Sequence, residues 1–198
     1  MIGIVDYGAG NLLSVSKAVR YLGFPFRIIT SEKDFAGVNK IILPGVGAFG
    51  SAIEQLHQKK LIQPLQKWLQ EDQPFLGICL GMQVLFESSE EAPGIAGLGY
   101  MKGTVVKFQS HKVPQIGWNK VWLLQQNPVV EAIPDGAFFY FLHGYYVAPE
   151  DSDIILAETE YGVRYPSMVI QGNVMGVQFH PEKSAENGLT LLKNWLQL

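Results

Sequence analysis

The sequence predicts an α/β fold built on an open, mixed and largely parallel sheet that is flanked by helices. In the first half of the chain, short apolar runs typical of strands alternate with amphipathic helical segments. The second half carries further strand-like runs with few helices between them, and an amphipathic segment closes the chain. Short apolar strands separated by helices imply a parallel sheet that is buried on both faces.

The first half accounts for the parallel strands and most of the helices. We expect strands at residues 2–5, 27–30, 40–43 and 74–78. Helices are expected at residues 11–22, 48–60 and 61–70. In the first of these, the apolar residues Leu12, Val15, Val19 and Leu22 fall on one face, which is typical of a helix that packs against a sheet.

The second half supplies the remaining strands and a last helix. Strands are expected at residues 104–108, 120–124, 137–142, 168–171 and 174–179. The segment Gln171-Gly172-Asn173 separates the last two and predicts a hairpin turn. The closing helix, at 185–198, places Leu189, Leu192 and Trp195 on one face. Because no linker-like stretch or repeat divides the chain, we expect residues 1–198 to form a single domain.

Composition narrows the class of function. Charged residues make up 17% of the chain, below the ~25% usual for soluble domains, which suggests that a partner or a large buried sheet covers apolar surface. The net charge of −3 offers no basic footprint for nucleic acid. A single cysteine excludes an internal disulfide framework and fits the reducing cytosol. We predict no cofactor and no metal site.

The chain shows no sign of export or of a membrane span. Its first residues lack a basic region and read as a strand, so we do not expect a secretory signal. The most apolar window, residues 137–148, contains His143 and Gly144 and is shorter than the ~20 residues that a membrane span needs. We therefore predict a globular protein of the cytoplasm.

The segment around Cys79 is the strongest candidate for catalysis. Gly77-Ile78-Cys79-Leu80-Gly81 follows an apolar strand and matches the Gly-x-nucleophile-x-Gly elbow, in which small residues permit a strained turn from strand to helix. A position at a helix N-terminus also favours a thiolate. A lone buried cysteine is more often an inert apolar residue, but the two flanking glycines favour the elbow.

A thiol nucleophile needs a base and a group that orients the base. His57 lies on a polar helix face and His111 in a polar loop, while His143 ends an apolar strand without a nearby acid. In His180-Pro181-Glu182 the proline disfavours helix at His180. Residues two apart in an extended chain point to one side, so Glu182 is expected to orient the imidazole toward Cys79. A His-x-Glu pair alone would more often be a structural ion pair.

Acyl transfer also requires donors for the oxyanion that develops in the transition state. The N–H of Leu80 is one candidate, and a glycine-rich loop at residues 44–49 can supply the second. The spacing Gly45, Gly47 and Gly50 also matches a dinucleotide-binding fingerprint, but Pro44 and Phe49 are unlike that fingerprint, and no acid follows at the expected distance. Gln83, one turn after Cys79, has an amide suited to the polar end of a substrate.

Together these residues resemble the class I, or triad, glutamine amidotransferases, over nearly the whole chain. The elbow and His-Pro-Glu are shared across that family. Other segments point within it to glutaminase subunits that supply a cyclase of histidine biosynthesis. These are Ile4-Val5-Asp6-Tyr7-Gly8-Ala9-Gly10-Asn11-Leu12, Leu43-Pro44-Gly45-Val46-Gly47-Ala48-Phe49, Pro114-Gln115-Ile116-Gly117-Trp118-Asn119 and Val177-Gln178-Phe179-His180-Pro181-Glu182-Lys183-Ser184.

The resemblance implies a flavodoxin-like fold and hydrolysis of L-glutamine to glutamate and ammonia through a γ-glutamyl thioester. It implies a heterodimer with a (β/α)₈-barrel cyclase that receives the ammonia. By matching position, Val46 is the second oxyanion donor, after a peptide rearrangement that Gly45 permits. The remaining implied roles are glutamine binding by Gly45, Gly47, Gln83, Gly144 and Tyr145, and contact with the cyclase by Trp118, Tyr146 and Lys183. The family commonly has a hydroxyl residue where this chain has Gly144, so only a backbone contact would survive there.

Three other functions remain open from the sequence. An α/β-hydrolase with a thiol nucleophile would use an acid that precedes the histidine in the chain, such as Asp151, Asp153 or Glu158. A redox-sensing module would use Cys79 as a sensor thiol. The third is the glutaminase subunit of another class I amidotransferase, which the Gly-Trp-Asn segment and the N-terminal signature argue against.

Overall fold

The structure is a computed structural model that describes residues 1–8, 10–109 and 112–198. These residues form a nine-stranded sheet, a three-stranded sheet and flanking helices. The strands are β1 (Ile2–Val5), β2 (Phe26–Ile29), β3 (Lys40–Leu43), β4 (Phe75–Ile78), β5 (Phe86–Ser89), β6 (Met101–Lys107), β7 (Gln115–Leu123), β8 (Ala137–His143), β9 (Tyr145–Pro149), β10 (Ile155–Glu160), β11 (Arg164–Gln171) and β12 (Val174–Val177). The α-helices are α1 (Leu12–Tyr21), α2 (Phe49–Gln58), α3 (Ile62–Gln70), α4 (Leu80–Gln83) and α5 (Ala185–Gln197).

The large sheet is parallel in one half and antiparallel in the other. Its order is β2-β1-β3-β4-β12-β11-β10-β7-β8, and the strands from β2 to β12 run parallel. The strands from β12 to β8 pair antiparallel. The predicted α/β fold with a mixed sheet and flanking helices is confirmed.

Helices cover both faces of the parallel half, which explains its apolar strands. Alternate residues of one strand enter different cores: Ile41 and Leu43 join α2 and α3, whereas Ile42 joins α1 and α5. Every residue of β1, β4 and β12 is buried. A parallel sheet with two covered faces reads as a continuous apolar run, and this is why the sequence predicted these strands.

The sheet brings two chain turns to one edge. Strands β4 and β12 are parallel neighbours, with Ile78 opposite Val177, so both end at the same side. Cys79 follows the first strand and His180 lies shortly after the second. Ligands bind at the carboxyl ends of strands in open α/β sheets, and this edge is therefore where a site is expected.

The strands that the sequence did not predict lie outside the parallel half of the large sheet. Strands β5, β9 and β10 were missed, and β7 and β11 each begin earlier than expected. In β9 four of the five residues are half-buried, so the strand lacks the alternation that marks one exposed face. The predicted hairpin is present, with Gln171 paired to Val174 and Gly172 in the left-handed region. No helix among the described residues is long and apolar enough to span a membrane.

Candidate active site

Cys79 occupies a strained turn between β4 and α4. Its φ of 55° lies in the left-handed region that a non-glycine residue rarely adopts. A Cβ on Gly77 would collide with the Gly81 carbonyl, and one on Gly81 with the Leu43 carbonyl, so only glycine fits at either side. The predicted elbow is present. Helix α4 is only four residues long, so the positive charge that favours a thiolate has to come mainly from a side chain.

His180 and Glu182 form the predicted pair. The imidazole Nδ1 donates to Glu182 Oε1 over 2.9 Å, and both side chains are fully buried. The backbone reaches this contact by a different route from the extended chain that was expected. His180 is extended, but Pro181–Lys183 is a single 3₁₀ turn that brings the carboxylate back to the ring.

The imidazole carries a positive charge at neutral pH. Burial alone would lower the pKa of His180, but attraction to Cys79 and to Glu182 raises it to about 10. The second ring nitrogen, Nε2, is buried and makes no well-aligned hydrogen bond to any described group, so its attraction to Cys79 is electrostatic in this state. The charged imidazole therefore lies beside the Cys79 sulfur, an arrangement that suits a nucleophile and its acid.

Asn11 is a fourth member of this cluster that sequence reasoning missed. Its Nδ2 donates to Glu182 Oε1 and lies 3.2 Å from His180 Nδ1. Since Nδ1 also donates to that oxygen, the two donors converge on a single acceptor. The other carboxylate oxygen of Glu182 is buried and has no partner among the described residues. Asn11 is 171 residues away from Glu182 in the sequence, so no local spacing could have revealed the contact.

The other histidines do not compete for the role of base. His143 is buried, with Nδ1 donating to the Tyr145 carbonyl and Nε2 lying 3.3 Å from the Tyr165 hydroxyl. Burial lowers the pKa of His143 to about 4, so it is neutral at physiological pH. His57 is exposed on α2, as expected, and His111 lies outside the described residues.

The acids that a hydrolase would need are engaged elsewhere. Asp151 is exposed and accepts from the Asp153 N–H, while Glu158 lies 4.0 Å from Arg164. Only Glu182 among the four candidates bonds to His180. The geometry thus favours the order of nucleophile, histidine and acid over the order of the α/β-hydrolases.

The glycine-rich loop is in place, but its oxyanion hole is not formed. The Leu80 N–H donates to the Gly45 carbonyl over 3.4 Å, so this carbonyl lies where an oxyanion would be expected. A Cβ on Gly45 would collide with the Tyr7 hydroxyl. In a trans peptide the N–H points opposite to the C=O, so the Val46 N–H faces away from the site. The Val46 N–H, the predicted second donor, can face the elbow only after the 45–46 peptide rotates.

A cavity of about 190 Å³ joins the elbow to four of the five predicted substrate residues, whereas Gly45 does not line it. Its lining includes Gly47, Cys79, Leu80, Gln83, Glu91, Val113, Pro114, Leu142, His143, Gly144 and Tyr145. The volume is below the ~300–1,000 Å³ of drug-sized sites and suits a ligand of amino-acid size. A larger groove of about 700 Å³ at residues 123–135 shares no lining residue with it and contains no cysteine or histidine.

Two side chains in this cavity differ from expectation. The amide nitrogen of Gln83 donates to the Tyr145 carbonyl over 2.9 Å and to Gln178 Oε1 over 3.1 Å. The side-chain oxygen of Gln83 is therefore left for a ligand. Glu91 was not predicted, although it supplies a carboxylate to the cavity. Its Oε2 accepts from the Phe49 N–H over 2.7 Å, which anchors it at the start of α2.

The predicted partner residues do not all lie on one surface. Trp118 and Lys183 are exposed and both contact the ring of Tyr140, at 6.2 and 5.8 Å from its centre. Tyr146 is half-buried, and its ring packs against Phe108 and Tyr165. Tyr140, rather than Tyr146, is the aromatic residue that joins the other two.

Comparison with known proteins agrees with this geometry. A family model described as class-I glutamine amidotransferase matches residues 3–197. The imidazole glycerol phosphate synthase subunit HisH of Desulfitobacterium hafniense is 51% identical, over 98% of this chain and 93% of its own length. The subunit of the same name from Methanocaldococcus jannaschii is 48% identical, over all of both chains.

Solved structures show the same fold at low identity. A crystal structure of a glutamine amidotransferase superposes with a TM-score of 0.79 at 18% identity, covering 99% of this chain and 97% of that chain. The structure of PurLQS from Thermotoga maritima also gives a TM-score of 0.79, at 20% identity and the same coverage. With the family model and the relatives that match over full length, these findings establish that the chain belongs to the class I glutamine amidotransferase family.

Proposed function

We propose that the chain is the glutaminase subunit of an imidazole glycerol phosphate synthase. The observation that carries the proposal is a buried Cys79, His180 and Glu182 cluster at a cavity that also contains a carboxylate. The identity of 48–51% over full length to subunits named HisH supports the choice within the family. The family match over residues 3–197 supports a single amidotransferase domain spanning residues 1–198.

The cavity offers complementary groups to both ends of L-glutamine. The Glu91 carboxylate suits the α-ammonium group, since its position is fixed by the Phe49 N–H. The free oxygen of Gln83 can accept a substrate N–H. Tyr145 also lines the cavity, and Gly47 and Gly144 can offer only backbone, so a substrate can be held there without a hydroxyl at position 144. Such positioning places the side-chain amide beside Sγ.

The reaction follows from the charges of the pair. The Cys79 thiolate attacks the side-chain carbonyl carbon, and the C–N bond breaks as His180 gives its proton to the nitrogen. Ammonia leaves and a γ-glutamyl thioester remains. Water then attacks the thioester while His180 accepts its proton. The C–S bond breaks, glutamate departs, and the thiolate and imidazolium are restored. Glu182 keeps the imidazole oriented throughout, and Asn11 holds the carboxylate.

An exposed apolar surface beside the triad supports a partner subunit. Ile116, Trp118 and Phe138 are 61%, 53% and 49% exposed, which is unusual for clustered large apolar residues on β7 and β8. The surface reaches the active site through Tyr140, whose carbonyl accepts from the His180 N–H over 2.9 Å. We assign Trp118, Tyr140 and Lys183 to the contact with a (β/α)₈-barrel cyclase, in the cytoplasm. Neutral ammonia can cross an apolar passage that ammonium could not.

Co-purification with the cyclase tests this assignment. The chain and the cyclase are expected to elute as a heterodimer, and glutamate release is expected to rise when the cyclase's nucleotide substrate is added. If the chain instead binds and supplies ammonia to a different acceptor enzyme, it is the glutaminase of another class I amidotransferase. Absence of glutamate release with every acceptor would refute the glutaminase assignment itself.

A further inference from the structure

We propose that Gln178 is a further catalytic residue, whose amide N–H donates to the Cys79 sulfur and stabilises the thiolate. Its Nε2 lies 3.7 Å from Sγ, within hydrogen-bonding range for sulfur. The side chain is fully buried, so it cannot move between water and the site. The inference rests on the proposed function in one respect, because it takes Cys79 as the nucleophile.

The orientation of this amide follows from its neighbours. The Tyr145 carbonyl can only accept, so the Gln83 atom that faces it at 2.9 Å is the amide nitrogen. That nitrogen also faces Gln178 at 3.1 Å, so Gln178 must present its oxygen there. The Gln178 nitrogen is then the atom that points to Cys79. A backbone carbonyl thus fixes two amides in turn, which removes the usual ambiguity between nitrogen and oxygen.

The two sides of the sulfur suit its two protonation states. The Leu142 carbonyl lies 3.7 Å from Sγ and can only accept, so it bonds the neutral thiol. Gln178 offers a donor on another side, and a donor favours the charged sulfur. The imidazolium of His180 acts in the same direction through its charge. Gln178 adds a contribution that does not depend on the protonation of any other residue.

The other groups near Cys79 do not titrate between pH 5 and 10 in a way that would imitate this effect. Burial raises the pKa of Tyr7 and of Tyr165 far above this range, and it lowers that of His143 to about 4. Glu91 also lines the cavity, and this residue is the same in the wild type and in a Gln178 variant. Among the described residues, His180 is the remaining neighbour whose charge bears on the sulfur, so a change at Gln178 can be followed through the sulfur.

Alkylation by iodoacetamide tests the proposal, because Cys79 is the only cysteine in the chain. Gln178→Met removes the donor at similar volume. The rate at pH 7 is expected to fall about tenfold, as for loss of one hydrogen bond to a charged group. The pH of half-maximal rate should rise by about one, and the limiting rate above pH 10 should be unchanged. Gln115→Met is the matched control, since Gln115 is also a buried glutamine but bonds to Tyr165.

The outcomes separate a donor from a packing residue. Equal rates for Gln178→Met and wild type at pH 7, an equal fall in Gln115→Met, or a fall that persists above pH 10 would each overturn the proposal. If Gln178→Met does not fold, Gln178→Glu decides, because it keeps an acceptor for Gln83 and removes the amide donor. Its rate at pH 7 must then fall at least tenfold. Since no glutamine is used, failure here is distinct from failure of the glutaminase assignment.

Discussion

The closed oxyanion hole predicts that this chain alone hydrolyses glutamine slowly. The Leu80 N–H already has an acceptor in the Gly45 carbonyl, 3.4 Å away, and the Val46 N–H of the same peptide faces away. The isolated chain therefore lacks one oxyanion donor. Loss of one such donor lowers kcat by about 10²–10³, or about 2.7–4 kcal/mol. Binding of the cyclase and its nucleotide should restore this factor in kcat, with little change in KM, because the donor acts on the transition state.

Val46→Pro tests whether the Val46 N–H is the source of the rise in kcat on binding of the cyclase and its nucleotide. Proline removes the N–H, so the stimulated kcat should fall by about 10²–10³, whereas Val46→Ala keeps the N–H and should respond almost fully. Glutamate release can be followed with glutamate dehydrogenase, with and without the cyclase and its nucleotide. Equal stimulation of the proline and alanine variants, or a wild-type chain that is as fast alone as in the complex, would refute a role for the Val46 N–H.

Four further substitutions test the remaining parts of the site. Cys79→Ala should abolish glutamine hydrolysis in the complex while added ammonia still supports the cyclase; loss of both would contradict separate sites. Glu182→Gln removes a charge that raises the pKa of His180, so the alkaline limit of kcat should move to lower pH, and an unchanged limit would argue against the pair. Asn11→Ala removes a second donor from the buried carboxylate and should lower kcat about tenfold with KM unchanged, whereas Asn11→Asp should not rescue it. Trp118→Ala should weaken the complex at least tenfold by titration calorimetry while leaving Tm nearly unchanged, because its side chain is half-exposed; a large fall in Tm instead would show a packing role.

The parts of the site that the sequence predicted are those set by short-range geometry. Gly77 and Gly81 are required because any side chain would meet backbone, so the elbow is visible as a local pattern. His180 and Glu182 are two residues apart, and either an extended chain or a 3₁₀ turn brings them together. The parallel strands were visible because both of their faces are buried.

The parts that escaped prediction depend on long-range packing. Asn11 reaches the triad from a distant segment, whereas Gln178 is only two residues before His180 but contacts Cys79 across the sheet, so no local pattern marks either contact. Glu91 lies in a segment outside any helix or strand, so no periodicity placed it at the cavity. Tyr146 and Tyr140 are both half-buried aromatic residues near His143, and only the fold shows that Tyr140 is the one that contacts Trp118 and Lys183.

Covalent trapping by a diazoketone analogue of glutamine tests whether Cys79 attacks a glutamine side chain bound in this cavity. We expect one adduct per chain by mass spectrometry, located on Cys79 and prevented by excess L-glutamine. An adduct on another residue, no adduct in the active complex, or labelling that glutamine does not prevent would contradict it.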